Sequence, residues 1–457
     1  MYVNLGKKIR FNSVQILALG FFSLILVGGF LLSLPIASNS GQSTSIVDSL
    51  FTATSAVCVT GLVVVDTATH WNYFGQTVII ILIQIGGLGF MSFTTLLAIL
   101  IGKKITLKER LLLQESMNTF SIQGLVKLIR YILIFTFAVE GLGALLLSTQ
   151  FIPLFGVSKG IYYSIWHSIS AFCNAGFDLM GTYSGKYSSL TAFANNPVVI
   201  YTISALIIIG GLGFTVWSEV YNYREKKKFS LHSKVVLTVT ATLIIGGTIL
   251  MFFLEYKNPL TIGNMPLFEK FNNAFFAAVT PRTAGMNTIS TSDMTLGGQF
   301  LTIILMFIGG SPGSTAGGLK TATFGVLMIT LISIIKGRED IEVFKRRIPK
   351  DTVYKAFALF VLSLLLVIGV TMLLCITQQG VPDGDKFNYL LYEASSAYGT
   401  VGLTLGLTQH LNTVGKMIIM ITMYLGRVGP MTVLLALTNR MSKKSGIKYP
   451  EDKILIG

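Results

Sequence analysis

Four short stretches of the chain carry one pattern: SLFTATSAVCVTGLV (49–63), YSIWHSISAFCNAGFDL (163–179), NNAFFAAVTPRTAGMNT (272–288) and YLLYEASSAYGTVGLTL (389–405). Aligned on one glycine, they bring Gly61, Gly176, Gly285 and Gly402 into register at separations of 115, 109 and 117 residues. Ten residues before each glycine stands an aromatic (Phe51, Trp166, Phe275, Tyr392), and five before stands a small residue (Ala56, Ala171, Thr280, Ala397). Glycine reaches left-handed backbone without penalty, so such loops can turn their carbonyls to one side. Carbonyl oxygens arranged in a ring replace the hydration shell of a monovalent cation. The candidate filter residues are therefore Val59, Thr60 and Gly61; Asn174, Ala175 and Gly176; Thr283, Ala284 and Gly285; and Thr400, Val401 and Gly402. Glycine also packs membrane helices closely, but that role does not call for a common register with an aromatic and a small residue. The aromatics read as packing anchors behind the loops.

Such loops need elements to hold them. With 52% hydrophobic residues, 12% charged and a mean hydropathy of +0.69, the composition is that of an integral membrane protein. Apolar runs at 12–34, 75–101, 126–148, 197–221, 235–254, 353–376 and 413–438, with an interrupted eighth near 297–335, are long enough to cross about 30 Å of hydrocarbon as helices. The first run is too long for a signal-peptide core and is expected to be retained. Between the spans of each pair lies a half-span of about ten residues, which must re-enter; its loop is tolerated at membrane depth only where it lines water or is buried in protein. The expected fold class is an all-α integral membrane protein. Its four covalently linked helix–pore-loop–helix repeats, with eight spans and four re-entrant half-helices, surround a pseudo-fourfold pore. Repeat boundaries fall at 12–101, 126–222, 232–335 and 353–440, with tails at 1–11 and 441–457. Half-helix C-termini aimed at the pore would favour cations.

The net charge of +15 has a positional explanation. Lys and Arg crowd into 1–11, 102–127, 222–235, 336–355 and 439–457, which together hold 25 of the 35. This bias places both termini and every second loop in the cytoplasm and leaves no case for nucleic acid. Three scattered cysteines (Cys58, Cys173, Cys375) imply no disulfide framework, and the four histidines are too dispersed for a metal signature.

The eighth span is broken by FIGGSPGSTAGGLKT (307–321), where Gly309, Gly310, Ser311, Pro312, Gly313, Ser314, Thr315, Ala316, Gly317 and Gly318 cannot sustain helix. The corresponding stretches 85–90, 209–214 and 425–430 read as far less broken. A flexible loop across the inner mouth of the filter would act as a gate; a simple kink is the plainer reading. GGSPG fits the nucleophile-elbow pattern but has no histidine in the adjacent spans, and GSTAGGLKT nearly matches a phosphate-binding loop but lacks its preceding strand. No enzyme activity is expected. Arg427 lies mid-span, where a charge is expensive enough that function is its default reading. It is expected to latch the loop through freed carbonyls. Lys320 either lines the inner vestibule or sits at an interface. Asp178 either gathers cations at the outer mouth or is a solvated loop charge, and the partners of Glu140, Glu219 and Glu393 are not legible.

With these four loops, the chain resembles the superfamily of potassium transporters comprising Trk, Ktr and HKT, and is most similar to the membrane subunit of a bacterial Ktr system. The resemblance covers about residues 12–440. It implies potassium uptake across the bacterial plasma membrane through a gated filter. Further implications are a homodimer and a cytosolic ring of nucleotide-binding regulatory (RCK-type) subunits, for which KGREDIEVFKRRIPKD (336–351) is the candidate contact. Potassium is the expected transported ion, and sodium is either co-transported or an activator. Relative to the T-V-G-Y-G loop of channels, the four loops share only one glycine, which implies fewer coordination sites and weaker discrimination against sodium. The alternative is a sodium-coupled secondary transporter with alternating access, for which broken helices are also diagnostic.

Overall fold

The computed structural model describes residues 13–89, 125–378, 386–430 and 432–433. Expectations that fall on the basic clusters at 1–11 and 439–457, on most of 102–127, and on the distal part of the 75–101 run lie outside these residues. The chain opens with α1 (Ser13–Ser33), α2 (Ile46–Val57), the single turn α3 (Thr67–His70) and α4 (Tyr73–Leu88). There follow α5 (Leu125–Phe155), α6 (Val157–Phe172), α7 (Pro197–Gly211), α8 (Phe214–Tyr221) and the short α9 (Tyr223–Lys226). Next come α10 (Leu231–Glu255), α11 (Leu267–Val279), α12 (Leu296–Phe307) and α13 (Thr321–Ile335). A hairpin of β1 (Glu342–Val343) and β2 (Arg346–Arg347) precedes α14 (Lys350–Thr377), α15 (Lys386–Gly399) and α16 (Thr413–Val428).

Length sorts these helices. Among the described residues α1, α5, α10 and α14 are each long and apolar enough to cross a membrane alone, and they keep only 28–33% of their apolar window inside the protein. Their outer faces carry large apolar side chains such as Phe253 and Ile376, about three-quarters exposed, as a lipid-facing surface requires. By contrast α2, α6, α11 and α15 have only 12 to 16 residues, too few to span about 30 Å at 1.5 Å per residue. These short helices sink their C-terminal halves into the core. Phe51, Trp166 and Tyr392 are fully buried there as anchors, whereas Phe275 is half-exposed and its neighbour Phe276 fills the corresponding place.

After each short helix the chain surfaces and starts again on a side-chain cap. Asn72 accepts from the N–H groups of Phe74 and Gly75, Asn196 from Val199, Thr295 from Gly298 and Asn412 from Gly415. Each cap satisfies donors that a helix start leaves free.

One expectation needs correction. The interruption at 308–320 is the longest, but 209–214 is not an intact span: α7 and α8 meet at 100°. Likewise α4 and α16 stop at the left-handed Gly89 (φ 83°) and Gly429 (φ 94°), matching Gly213 (φ 91°) in the second repeat. The cause is close approach. A Cβ on Gly86, Gly210 or Gly426 would collide with the carbonyl of Val57, Phe172 or Tyr398, each four residues before a loop glycine. Glycine is required at these contacts and weakens the helix by about 1 kcal/mol per residue relative to alanine, so the second helices are breakable where they meet the half-helices.

Candidate ion filter and gate

Beyond each short helix the backbone alternates in handedness. Val59 (φ 57°) and Gly61 (φ 91°) are left-handed, as are Asn174 (58°) and Gly176 (73°), Thr283 (70°) and Gly285 (75°), and Thr400 (50°) and Gly402 (95°), whereas Thr60, Ala175, Ala284 and Val401 between them are not. Alternation of this kind aligns successive peptide groups on one side of the chain. Non-glycine residues hold such conformations only where their surroundings over-determine them. Those surroundings are visible here. The N–H groups of Thr60, Ala175 and Val401 donate to the carbonyls of Ser55, Ser170 and Ser396 (2.8, 2.8 and 2.9 Å). The hydroxyls of Ser55 and Ser396 accept from the N–H groups of Gly61 and Gly402 (3.0 and 3.1 Å). Ser170 and Thr280 donate instead to the carbonyls of Phe177 and Met286.

The four loops, more than 100 residues apart in sequence, meet one another. A Cβ on Gly61 would stand 2.5 Å from the carbonyl oxygen of Ala175, and one on Gly176 would stand 2.8 Å from that of Ala284. On Gly285 it would run into the carbonyl of Val401, and on Gly402 into that of Thr60. Each glycine thus faces the residue before the next one, in the cyclic order 61, 176, 285, 402 and back to 61. All twelve sequence-predicted residues lie in these four loops. On one side the ring opens into a cavity of about 380 Å³ walled by all four glycines together with Asp66, Asp178, Asn287 and Thr404. Asp178 accepts from the Met180 N–H (2.9 Å) and reaches this cavity; Asp66 is a brace, accepting from Thr69 and from the Tyr187 N–H (2.9 Å).

The isolated carboxylates turn out to be braces as well. Glu393 accepts from Thr404 and Thr408 (2.7 and 2.5 Å), Glu140 from Gln84 Nε2 (3.1 Å) and Glu219 from the Ser230 N–H (2.9 Å). His167 is fully buried, its Nδ1 against the Tyr163 carbonyl (2.7 Å) while Nε2 accepts from the Leu179 N–H (3.2 Å), a pairing that assigns the neutral Nδ1–H tautomer. It straps the second loop and serves no serine as a base, since the Ser311 hydroxyl pairs with Thr321 (2.9 Å).

Against the inner side of the ring lies the 308–320 segment. Its ends are stitched by Gly309 N–H to Leu319 (2.9 Å) and Thr321 N–H to Gly310 (3.0 Å). Its middle engages the breaks in the other repeats: Ser311 N–H donates to Gly211 (2.9 Å), Thr315 N–H to Gly210 (3.3 Å), Gly318 N–H to Gly426 (3.3 Å), and Phe214 N–H to Gly313 (2.8 Å). A Cβ on Gly317 would collide with Thr400, and one on Gly318 would stand 3.1 Å from Gly399 Cα, so the segment presses directly beneath the fourth loop. Arg427 donates to the carbonyls of Thr315, Gly86 and Gly87, tying the segment to the first repeat. Lys320 turns back on the same segment, donating to the Ala316 carbonyl (2.6 Å).

One residue, Arg282, and one contact of the predicted filter residue Asn174 escaped the sequence reading. Asn174 Nδ2 bridges to the Arg282 carbonyl (3.2 Å) and to Thr283 Oγ1 (3.3 Å), a strut between the second and third loops. The Arg282 side chain is 5% exposed, donates through Nη2 to Thr240 (3.3 Å), and leaves Nε and Nη1 without a hydrogen-bond partner among the described residues. The signal was there to be read: Cys58, Cys173 and Gly399 hold the positions that correspond to Arg282, three before each loop glycine.

This arrangement matches known proteins. The TrkH family model, described as a cation transport protein, matches residues 16–447. The chain is 48% identical, over 98% of both chains, to the potassium/sodium uptake protein NtpJ of Enterococcus hirae. It is 43% identical to the Ktr system potassium uptake protein B of Bacillus subtilis, over 99% of this chain and 98% of that one. The crystal structure of the potassium transporter TrkH from Vibrio parahaemolyticus superposes with a TM-score of 0.72 at 18% identity, covering 95% of this chain and 86% of that one. The chain is a multi-pass helical membrane protein, not an enzyme, and belongs to the TrkH family of cation transport proteins.

Proposed function

We propose that this chain takes up potassium across the bacterial plasma membrane, conducting it down the membrane potential through one filter built by four repeats and gated from within. The observation that carries this reading is the cyclic contact of Gly61, Gly176, Gly285 and Gly402 with the carbonyls of Ala175, Ala284, Val401 and Thr60. Eight spans then run as four pairs, each enclosing a half-helix, at 12–101, 126–222, 232–335 and 353–440. The break, expected to be longest in the third pair and far slighter in the others, is matched by a bend of 100° at 212–213 in the second. Four loops converging on one axis favour a pore over two halves that rock around a substrate, which sets aside the alternating-access reading.

In this account residues 59–61, 174–176, 283–285 and 400–402 form the filter, with Asp178 at its outer mouth. Residues 309–318 form the gate and Arg427 its latch. A closed gate is stabilised because its freed backbone groups find partners in two other repeats, at Gly210, Gly211 and Phe214 in the second and at Gly426 and Arg427 in the fourth. Each cation entering gains roughly 2.3 kcal/mol per 100 mV of inside-negative potential, and each tenfold accumulation costs about 1.4 kcal/mol. About 150 mV therefore sustains a few hundredfold accumulation without ATP hydrolysis on this chain. An open pore would dissipate that potential, so the gate needs a controller. The short basic loops fit a separate cytosolic ring docking at 336–351, with both termini on that side and the chain paired as a homodimer. Sodium accompanies potassium or activates its passage, in keeping with the name of the Enterococcus relative, a potassium/sodium uptake protein.

The test is rubidium-86 uptake into liposomes holding the purified protein, driven by a potassium gradient, with sodium and lithium as competitors. Uptake blocked by potassium and little by sodium is expected. Absence of potential-driven cation flux, even with a cytosolic partner supplied, would overturn the proposal.

A further inference from the structure

Among the described residues nine non-glycine residues hold left-handed backbone, and they gather at three places. Val59, Asn174, Thr283 and Thr400 are in the candidate filter, and Tyr187 and Ser189 line the outer cavity. The remaining three, Lys227 (φ 48°), Phe344 (φ 52°) and Lys345 (φ 59°), belong to one corner of the opposite face. Strain of this kind concentrates at functional sites. The first two groups already have a use; in the third, Phe344 and Lys345 fall in the stretch proposed above to meet a cytosolic partner, while the corner they form with Lys227 has none.

Phe344 and Lys345 are the two central residues of the β1–β2 hairpin, in a turn that ordinarily selects Asn-Gly. Bending the chain this way brings the Phe344 ring to 5.7 Å from Lys234 Nζ, at the start of α10. Between hairpin and helix lies a cavity of about 220 Å³ walled by Lys227, Lys228, Lys234 and Arg346, with the rings of Tyr223 and Phe344. Among the described residues no carboxylate lines it. Asp340 is paired with Arg347 (2.9 Å), and Glu219 is engaged by Ser230. Four cations on the wall, with no carboxylate among the described lining residues, favour an anion.

The neighbouring surface says which anion. Immediately before Tyr223, helix α8 turns away from α7 at 100° and forms, with α5, an apolar groove of about 420 Å³ lined by Tyr131, Ile134, Phe135, Trp217 and Tyr221. Phe135 stacks on Trp217 at 5.0 Å, and Tyr221 is 73% exposed. Aromatic side chains beside clustered lysines mark the level of lipid headgroups. A basic pocket on the cytoplasmic side takes an anionic headgroup.

We propose that this corner is a binding site for an anionic membrane phospholipid, its phosphate among Lys227, Lys228, Lys234 and Arg346 and its acyl chain along the α5–α8 groove. Occupancy steadies α8, and α8 is joined to the gate segment: Phe214 N–H donates to Gly313 (2.8 Å), while the Trp217 indole N–H holds the Ile209 carbonyl at the break (2.8 Å). Lipid charge therefore tunes the gate. This second part rests on the gate reading above; the binding part does not.

The experiment takes the purified full chain, stripped of lipid in detergent and offered an equal mixture of phosphatidylglycerol and phosphatidylcholine. Retained lipid is counted by native mass spectrometry. The wild type is expected to retain phosphatidylglycerol about fivefold over phosphatidylcholine, and a K227Q/K228Q/K234Q/R346Q variant to retain both equally. Should that variant fail to fold, Phe344→Gly, which relieves the turn and removes one wall, is expected to lower the preference as well. Equal retention by the wild type, or displacement of phosphatidylglycerol by millimolar inorganic phosphate, overturns the lipid site. Rubidium-86 uptake should then differ several-fold between vesicles of the two lipids in the wild type and not in the quadruple variant. Selective retention without that difference overturns the coupling. A deletion of 311–316 that keeps the lipid preference but transports like the wild type shows that the gate reading has failed while the lipid site stands.

Discussion

The candidate filter loops, each turning on one aligned glycine, and the candidate gate segment at 309–318, with five, are held in different ways. Each candidate filter loop is braced largely by the end of its own short helix, through backbone bonds four or five residues back and through Ser55, Ser170, Thr280 or Ser396. The candidate gate segment has stitches at its ends and a few bonds of Ser314 and Lys320 within it, but its middle also leans on Gly210, Gly211, Gly426 and Arg427, all outside it. Locally braced backbone stays put when neighbouring helices shift. Backbone that borrows its partners moves when they move. The difference fits two uses of glycine under the proposed function: at the ring, room for a neighbour's carbonyl; in the segment, freedom to unwind at membrane depth and re-satisfy its groups elsewhere.

Breaking the ring should have the largest effect. Gly402→Ser forces a side chain onto left-handed backbone and into the Thr60 carbonyl. Rubidium uptake is expected to fall on the order of a hundredfold, and the residual flux to lose its preference for potassium over sodium. Unchanged selectivity would count against the ring. Breaking the segment should act in the other direction and more weakly: deleting 311–316 is expected to raise basal flux roughly tenfold, a shift of about 1.4 kcal/mol in the closed-to-open balance. A folded but silent deletion would contradict a gate. Arg427→Ala removes three donations but leaves the segment's backbone bonds intact, so about a threefold rise in flux is expected, read as initial rates in liposomes. Smallest of all is Ser55→Ala, which removes one brace worth about 1 kcal/mol and should lower the thermal midpoint by ~2 °C without changing ion preference.

Much of this was legible in the sequence, and what was not shares a physical cause. The register of Gly61, Gly176, Gly285 and Gly402 is a local pattern repeated four times, so spacing alone revealed it. The composition of 309–318 forbids helix, so the longest break was legible too. What spacing could not reveal is which repeat touches which. The Arg427 contacts to Gly86 and Gly87 span more than 300 residues, and the cyclic order of the loops exists only after the four half-helices have converged. The breaks at 209–214 and 425–430 were underrated for the same reason. IGGLG at 209–213 and LGRVG at 425–429 read as helix packing until one sees that Gly210 abuts the Phe172 carbonyl and Gly426 that of Tyr398. Arg282 was visible as a letter in VTPRTAG, but its half-partnered burial beside the third loop depends on Thr240 of α10, 42 residues away.

The measurement closest to the central claim is the anomalous scattering of crystals grown with thallium or rubidium in place of potassium. The account predicts a peak on the axis enclosed by the carbonyls of Thr60, Ala175, Ala284 and Val401, weakened or lost in Gly402→Ser. Density for the cation between two halves of the molecule, with none among these four carbonyls, would contradict it.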